Sequence, residues 1–156
     1  MDDAFGHWLA GFIDGEGSFA IRPGGGRRGY HSFCFFSISL RIDDEAILRE
    51  IQHHTGIGRL WVRDERKKDH AQLVWQVSKT ADCVELAELL DRYPLRAKKK
   101  RAFEIWRIAL DDQACHVSGG VGKRRKPEGR KEHDERMAQY KIELSTANQY
   151  NPYRVP

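Results

Sequence analysis

The segment Leu9-Ala10-Gly11-Phe12-Ile13-Asp14-Gly15-Glu16-Gly17 constrains this chain more than any other. Residues 5–15 around it read as a helix, because Trp8, Leu9, Phe12 and Ile13 recur at helical spacing and would line one face. Asp2 or Asp3 is placed to cap its start. Gly11 and Gly15 fall on a different face. Their missing side chains would let two backbones approach closely there, by analogy with small residues between membrane helices. Ending the helix would account for Gly15 and Gly17. It does not account for Gly11, which costs up to about 1 kcal/mol relative to Ala inside a helix. Asp14 and Glu16 place two carboxylates at the helix's end.

The next stretch, Ser18 to Arg22, is strand-like, and residues 23–29 are a glycine-rich turn or hairpin tip. Residues 30–42 alternate: Phe36, Ile38, Leu40 and Ile42 take one face, and Phe35, Ser37, Ser39 and Arg41 the other. Asp43 or Asp44 then caps a helix at about 45–55, with Ala46, Ile47, Leu48 and Ile51 as its buried stripe, and Gly56-Ile57-Gly58 ends it. Arg59 to Arg63 is a third strand, residues 64–69 a charged turn, and Leu73 to Val77 a fourth strand. In this last strand Leu73, Trp75 and Val77 should face the helices, with Gln72, Val74 and Gln76 facing away. Helices follow at about 81–92 and 98–111, separated by Tyr93-Pro94-Leu95. Residues 116–131 read as a long basic loop, and a final helix is expected at about 132–146. The order defines an α+β fold, αββαββα plus C-terminal helices, with a four-stranded antiparallel sheet covered by helices on one face. At 156 residues the chain reads as one domain, 1–156, with its core at about 5–110 and the basic loop and last helix at about 116–156.

A net charge of +4 is ordinary, but the cations are clustered: residues 96–101 and 123–126 are two dense basic runs. Local basic patches matter more than net charge for nucleic-acid binding. The three cysteines are widely spaced, with no Cys-x-x-Cys pair, which argues against structural zinc and a disulfide framework. No apolar run approaches the roughly 20 residues that span a bilayer. Met1-Asp2-Asp3 opens without a basic signal region, so an intracellular protein of bacterial cytoplasm or organelle, without membrane or small-molecule partners, is expected.

The nonapeptide resembles the signature of the LAGLIDADG homing endonucleases, with Phe12 for Leu, Gly15 for Ala and Glu16 for Asp. Tyr93-Pro94-Leu95 resembles the family's Tyr-Pro-Leu followed by a lysine five residues after the proline. That count gives Lys99, and a one-residue slip gives Lys98. Leu40 to Gly58 is similar to the family's strand–helix–Gly-x-Gly stretch, although Leu40 stands where many members carry a water-ordering glutamine. Arg41 is the nearest polar substitute. The resemblance implies metal-dependent hydrolysis of DNA phosphodiester bonds on both strands of a long pseudo-palindromic site, with an intron-homing role. Glu16 and the Gly15 carbonyl would hold Mg²⁺, which Mn²⁺ could replace, and Glu16, Lys99 or Lys98, and Arg41 would serve catalysis. The family pairs two such helices, and this chain carries one. The resemblance therefore implies a homodimer joined through Trp8, Gly11, Phe12, Asp14 and Gly15, with Asp14 bonding backbone N–H groups near the helix ends.

Two-stranded ribbons fit the major groove, where base edges are distinguishable. Outward candidates for contacting double-stranded DNA are Arg22, Arg27, Arg28, His31, Ser37, Ser39, Arg59, Trp61, Arg63, Gln72 and Gln76, with arginine suited to guanine and glutamine to adenine. Lys123, Arg124, Arg125 and Lys126 suit phosphates. A non-cleaving nucleic-acid binder on the same scaffold, either an RNA-splicing maturase or a transcriptional regulator, is the second reading. A protein-interaction module is the third.

Overall fold

The computed structural model describes residues 2–22, 32–64, 71–118 and 127–149. Helix α1 (Asp3–Glu16) is capped by Asp2, whose carboxylate accepts from the Phe5 N–H at 2.7 Å. It leads through Gly17 into β1 (Ser18–Arg22), which is followed by β2 (Phe33–Arg41). A 3-10 turn at Ile42–Asp44 precedes α2 (Glu45–Thr55), and β3 (Arg59–Arg63) and β4 (Gln72–Val77) follow. Helices α3 (Thr80–Arg92), α4 (Lys99–Ser118) and α5 (Pro127–Gln149) complete the described chain. The four strands form one antiparallel sheet in the order β1-β2-β4-β3.

One face of the sheet is packed and the other is open. Phe36, Ile38, Trp75 and Val77 are fully buried against helices carrying Leu9, Ile13, Leu48, Ile51, Leu86 and Trp106. Burying large apolar side chains at about 1.5–3 kcal/mol each drives this layer together. Two polar side chains inside it are paired. The Trp106 indole N–H donates to the Phe35 carbonyl at 3.2 Å, and Gln113 accepts from the Cys34 N–H at 2.6 Å while donating to Thr80 Oγ1 at 2.9 Å.

Gly17 has no room for a side chain. A Cβ there would lie 2.7 Å from the Ile13 carbonyl oxygen and 2.8 Å from the Phe36 ring, so α1 can turn into β1 directly under the core. Gly58 sits at a positive φ of 75° with Trp75 Nε1 2.7 Å from where its Cβ would be. Only glycine meets both demands without strain. The corner is stitched by Gly58 N–H donating to Asp82 at 3.0 Å and Trp75 Nε1 donating to the Ile57 carbonyl at 3.0 Å.

Several expectations need correction. Leu9 and Ile13 form the buried stripe of α1 with Gly6 and Ala10, whereas Trp8 is 42% exposed and stacks on half-buried Phe12, with ring centroids 5.3 Å apart. Trp8 thus lies outside the intramolecular core, while Phe12 packs against its edge. Ala46 is exposed, and so is Ile42, which the 3-10 turn carries off the strand's face. Neither Asp43 nor Asp44 caps α2 through its side chain; Asp43 pairs with Arg41 at 3.0 Å instead. Val74 does lie on the open face, yet it is buried because its register neighbours Ser39 and Trp61 flank it.

Helix α4 runs on past residue 111 to Ser118, and α5 begins at Pro127 rather than about 132. Proline is tolerated at a first helical position, where its missing N–H is not needed. Gln113 explains the extension of α4, since its two hydrogen bonds need helical backbone there. Met137, Leu144 and His133 of α5 are buried, and Arg136 clasps Asp112 of α4 at 2.7 and 2.8 Å.

Candidate nucleic-acid interface and catalytic end of α1

The C-terminal end of α1 meets the N-terminal end of α4. One Asp14 carboxylate oxygen accepts from the Arg96 N–H at 2.6 Å and the Ala97 N–H at 3.0 Å. These donors precede the first turn of α4, where a carboxylate is favoured by unsatisfied N–H groups and the helix dipole. The other Asp14 oxygen is out of water and has no hydrogen bond among the described residues. The Lys99 amine donates to the Gly15 carbonyl oxygen at 2.8 Å. Burial holds this amine below the usual lysine range, the adjacent Lys98 cation adds to that, and the carboxylates of Glu16 and Asp14 oppose it. Glu16, the last residue of α1, is exposed beside this clasp. Of the two candidate lysines, Lys99 is the one tied to α1. Lys98 is exposed, and both line a cleft of about 330 Å³ with Gly17, Ser18, Ala147 and Asn148.

A second groove, of about 350 Å³, runs beside α1 and is lined by His7, Ala10, Gly11, Asp14, Pro94 and Arg96. A Cβ added at Gly11 or Gly15 would meet nothing within 4 Å. The glycines therefore serve no packing need inside the protomer.

The open face of the sheet carries the expected polar rows. In register across it lie Ser37, Gln76 and Arg59; Ser39, Val74 and Trp61; and Arg41, Gln72 and Arg63. Trp61 Nε1 donates to Gln76 Oε1 at 3.1 Å, Arg59 donates to the same oxygen at 3.4 Å, and Arg63 donates to Gln72 Oε1 at 3.2 Å. Arg22 lies over the Phe33 and Phe35 rings at 5.8 and 5.3 Å. Arg27, Arg28, His31, Lys123, Arg124, Arg125 and Lys126 fall outside the described residues.

Sequence reading missed three participants. The alternation of β2 could have shown Phe33 beside Phe35 as the platform under Arg22. The backbone N–H groups of Arg96 and Ala97 carry no signal by residue type. Asn148 is brought to Lys99 by the packing of α5, which nothing local announces.

An antiparallel sheet with one polar, cationic face, and a glycine-bearing helix ending in a carboxylate, define an α+β protein of one four-stranded sheet covered by helices on one side. Residues 9–110 match the LAGLIDADG endonuclease family. The chain belongs to that family. It is 22% identical over 153 residues to a probable intron-encoded endonuclease, Cox1-I1b, of Schizosaccharomyces pombe, a match covering 96% of this chain and 35% of that protein. The chain thus spans about a third of that relative's length. An archaeal intron-encoded homing endonuclease, I-Vdi141I, solved in complex with DNA, has the same fold, with a TM-score of 0.75 at 21% identity over 100% of this chain and 91% of that one. The LAGLIDADG meganuclease I-AabMI, bound to uncleaved DNA, gives 0.61 at 25% identity over 74% and 39% of the two chains. The homing endonuclease I-TnaI gives 0.63 at 21% identity over 89% and 97%. Among the described residues no helix is long and apolar enough to cross a membrane.

Proposed function

We propose that the chain is a site-specific homing endonuclease that cuts both strands of a long pseudo-palindromic DNA site as a homodimer with Mg²⁺. The observation that carries this reading is the clasp at the end of α1, where Lys99 donates to Gly15 O at 2.8 Å beside the exposed carboxylate of Glu16. The open sheet face with Arg59, Trp61, Arg63, Gln72 and Gln76 supports DNA as the substrate, as does family membership.

Dimerisation follows from the surface of α1. Gly11 and Gly15 leave open backbone, exposed Trp8 stacks on half-buried Phe12 beside them, and Asp14 has an oxygen left to bond. A second copy of α1 laid along this surface buries the aromatic pair and brings two Glu16 carboxylates together.

The donor set fits a hard cation only in that pairing. Mg²⁺ takes oxygen ligands, usually one or two carboxylates with substrate phosphate and water. One protomer offers the Glu16 carboxylate and the Gly15 carbonyl, and among the described residues no cluster of three or more His, Cys, Asp or Glu could hold a metal. Two protomers and a DNA phosphate complete an oxygen shell. Mg²⁺ there would activate water and stabilise charge on the scissile phosphate, and Mn²⁺ would substitute.

The remaining roles belong to the chain. Lys99 stabilises negative charge developing on the phosphate. The sheet holds the duplex so that the phosphate meets Glu16. Arg41, already paired with Asp43, lies on the same face and orients solvent or backbone phosphate near the strand's end. The basic run 123–126 adds phosphate contacts.

Leu40 favours the non-cleaving alternative, because it is half-buried against the core and orders no water. The deciding experiment offers a randomised duplex library to wild type and Glu16→Gln with Mg²⁺ or Ca²⁺. Two-fold symmetric sites cut only by wild type with Mg²⁺ support the endonuclease. Selective binding without cutting in any metal leaves the maturase or regulator.

A further inference from the structure

The two glutamines of β4 have their carbonyl oxygens engaged. Gln76 Oε1 accepts from both Trp61 Nε1 and Arg59, and Gln72 Oε1 accepts from Arg63. The amide orientation is settled by the neighbours' chemistry. An indole N–H and a guanidinium can only donate, so the atom facing them must be oxygen. Each glutamine therefore has its NH₂ left for a ligand, beside an arginine that also only donates. Arg63 is held further by lying over the Trp61 ring at 5.6 Å. Along this ribbon Arg59–Gln76 and Arg63–Gln72 are cross-strand partners, forming two repeats of one unit.

An adenine in the major groove shows one acceptor and one donor, so a glutamine reading it needs both ends of its amide. Guanine shows two acceptors, N7 and O6. Resting on the reading of this sheet as a DNA-binding surface, we infer that the β3–β4 ribbon is a donor-only comb that selects guanine at two positions in each half-site. This reverses the simple expectation that Gln72 and Gln76 read adenine. The spacing follows from the strand. Four residues at about 3.3 Å each place the two units about 13 Å apart, or about four base pairs at about 3.4 Å per step. The preference is stronger opposite Gln76, where two donors hold the oxygen, than opposite Gln72, where one does.

The test selects duplexes from a randomised library with wild type in Ca²⁺ and measures affinity for single-base variants of the enriched site. Guanine is expected at two positions about four base pairs apart in each half-site, with adenine there weakening binding about tenfold. Replacing guanine by 7-deazaguanine, which lacks the N7 acceptor, lowers affinity at the same positions. Gln76→Glu, whose outward oxygen only accepts, shifts its position to cytosine, and Trp61→Phe, which frees the amide to turn, narrows the gap between guanine and adenine there. Enrichment of adenine at these positions, or an unchanged base preference in Gln76→Glu, overturns the donor-only comb while DNA binding stands. Failure of wild type to enrich any duplex overturns the DNA-binding reading and the comb with it.

Discussion

The Lys99 amine and the Gly15 carbonyl oxygen, 2.8 Å apart, join the start of α4 to the end of α1. With the two Asp14 bonds to Arg96 and Ala97, three hydrogen bonds close this junction. The charges complement the helices: a cation meets the carbonyl end of α1, and a carboxylate meets the amide end of α4. The clasp holds the Lys99 amine at the end of α1, where it feels the Glu16 carboxylate.

Lys99→Met should lower single-turnover cleavage of the selected site by about 10²–10³-fold, the usual cost of one donor aimed at developing charge. Binding in Ca²⁺ should change little. Lys98→Met should lose far less, because its amine is not tied to α1. Equal losses in the two variants would remove the distinction between these lysines.

Gly11→Leu tests the dimer seam. A Cβ added there meets nothing within 4 Å inside the protomer, and leucine favours helix over glycine by up to about 1 kcal/mol. The variant should keep its circular dichroism spectrum and cooperative melting, sediment as a monomer, and fail to make double-strand breaks. A variant that still sediments as a dimer would place the seam elsewhere.

His133 should make stability depend on pH. It is buried, stacked on His116 at 3.9 Å, and desolvation holds its imidazole below the usual range despite the nearby Asp112. Its folded pKa is depressed, so below about 6.5 the unfolded chain binds the proton more readily than the folded one. Its stabilising effect is full above that value and is lost as pH falls towards the folded pKa. Asp112, held low first by its hydrogen bond to Arg136, adds a further loss at more acidic pH, below the ordinary carboxylate pKa of 3.8. Melting temperature should therefore fall between pH 7.5 and pH 5, and His133→Gln should flatten the slope.

The cysteines should separate by reactivity. Cys34 and Cys83 are buried, and burial raises both thiols, Cys83 to about 12. Cys115 is exposed. Thiol titration at pH 8 should label one cysteine quickly in the native protein and three in denaturant. Rapid native labelling of a second would mean that the β2–α3 contact opens readily.

Where spacing and local chemistry act together, the fold was legible. Arg59–Arg63 is a strand with the bounds its residues suggest, and Gly56-Ile57-Gly58 turns where two positive φ angles are needed. The candidate site at the end of α1 was legible by residue type but not by geometry. Asp14 reaches Arg96 and Lys99 reaches Gly15 across more than eighty residues. Such contacts leave no periodicity. The length of α4 was hidden for a similar reason, because Gln113 looks like a surface residue until Cys34 and Thr80 arrive beside it. The split of the α1 face was hidden as well, because Trp8, Leu9, Phe12 and Ile13 share helical spacing while Leu9 and Ile13 are buried and Trp8 is exposed.

The corner at Gly58 acts as the sheet's alignment stop. Asp82, Ile57 and the Trp75 indole hold it from three sides, so β3 starts at one fixed point against β4. A slip of one residue there would turn Arg59, Trp61 and Arg63 towards the helix-covered face and bring Leu60, which is half-buried, to the open one. Side chains on the ribbon can therefore be exchanged while their positions along the sheet stay constant. The ribbon is a ruler whose zero mark is Gly58.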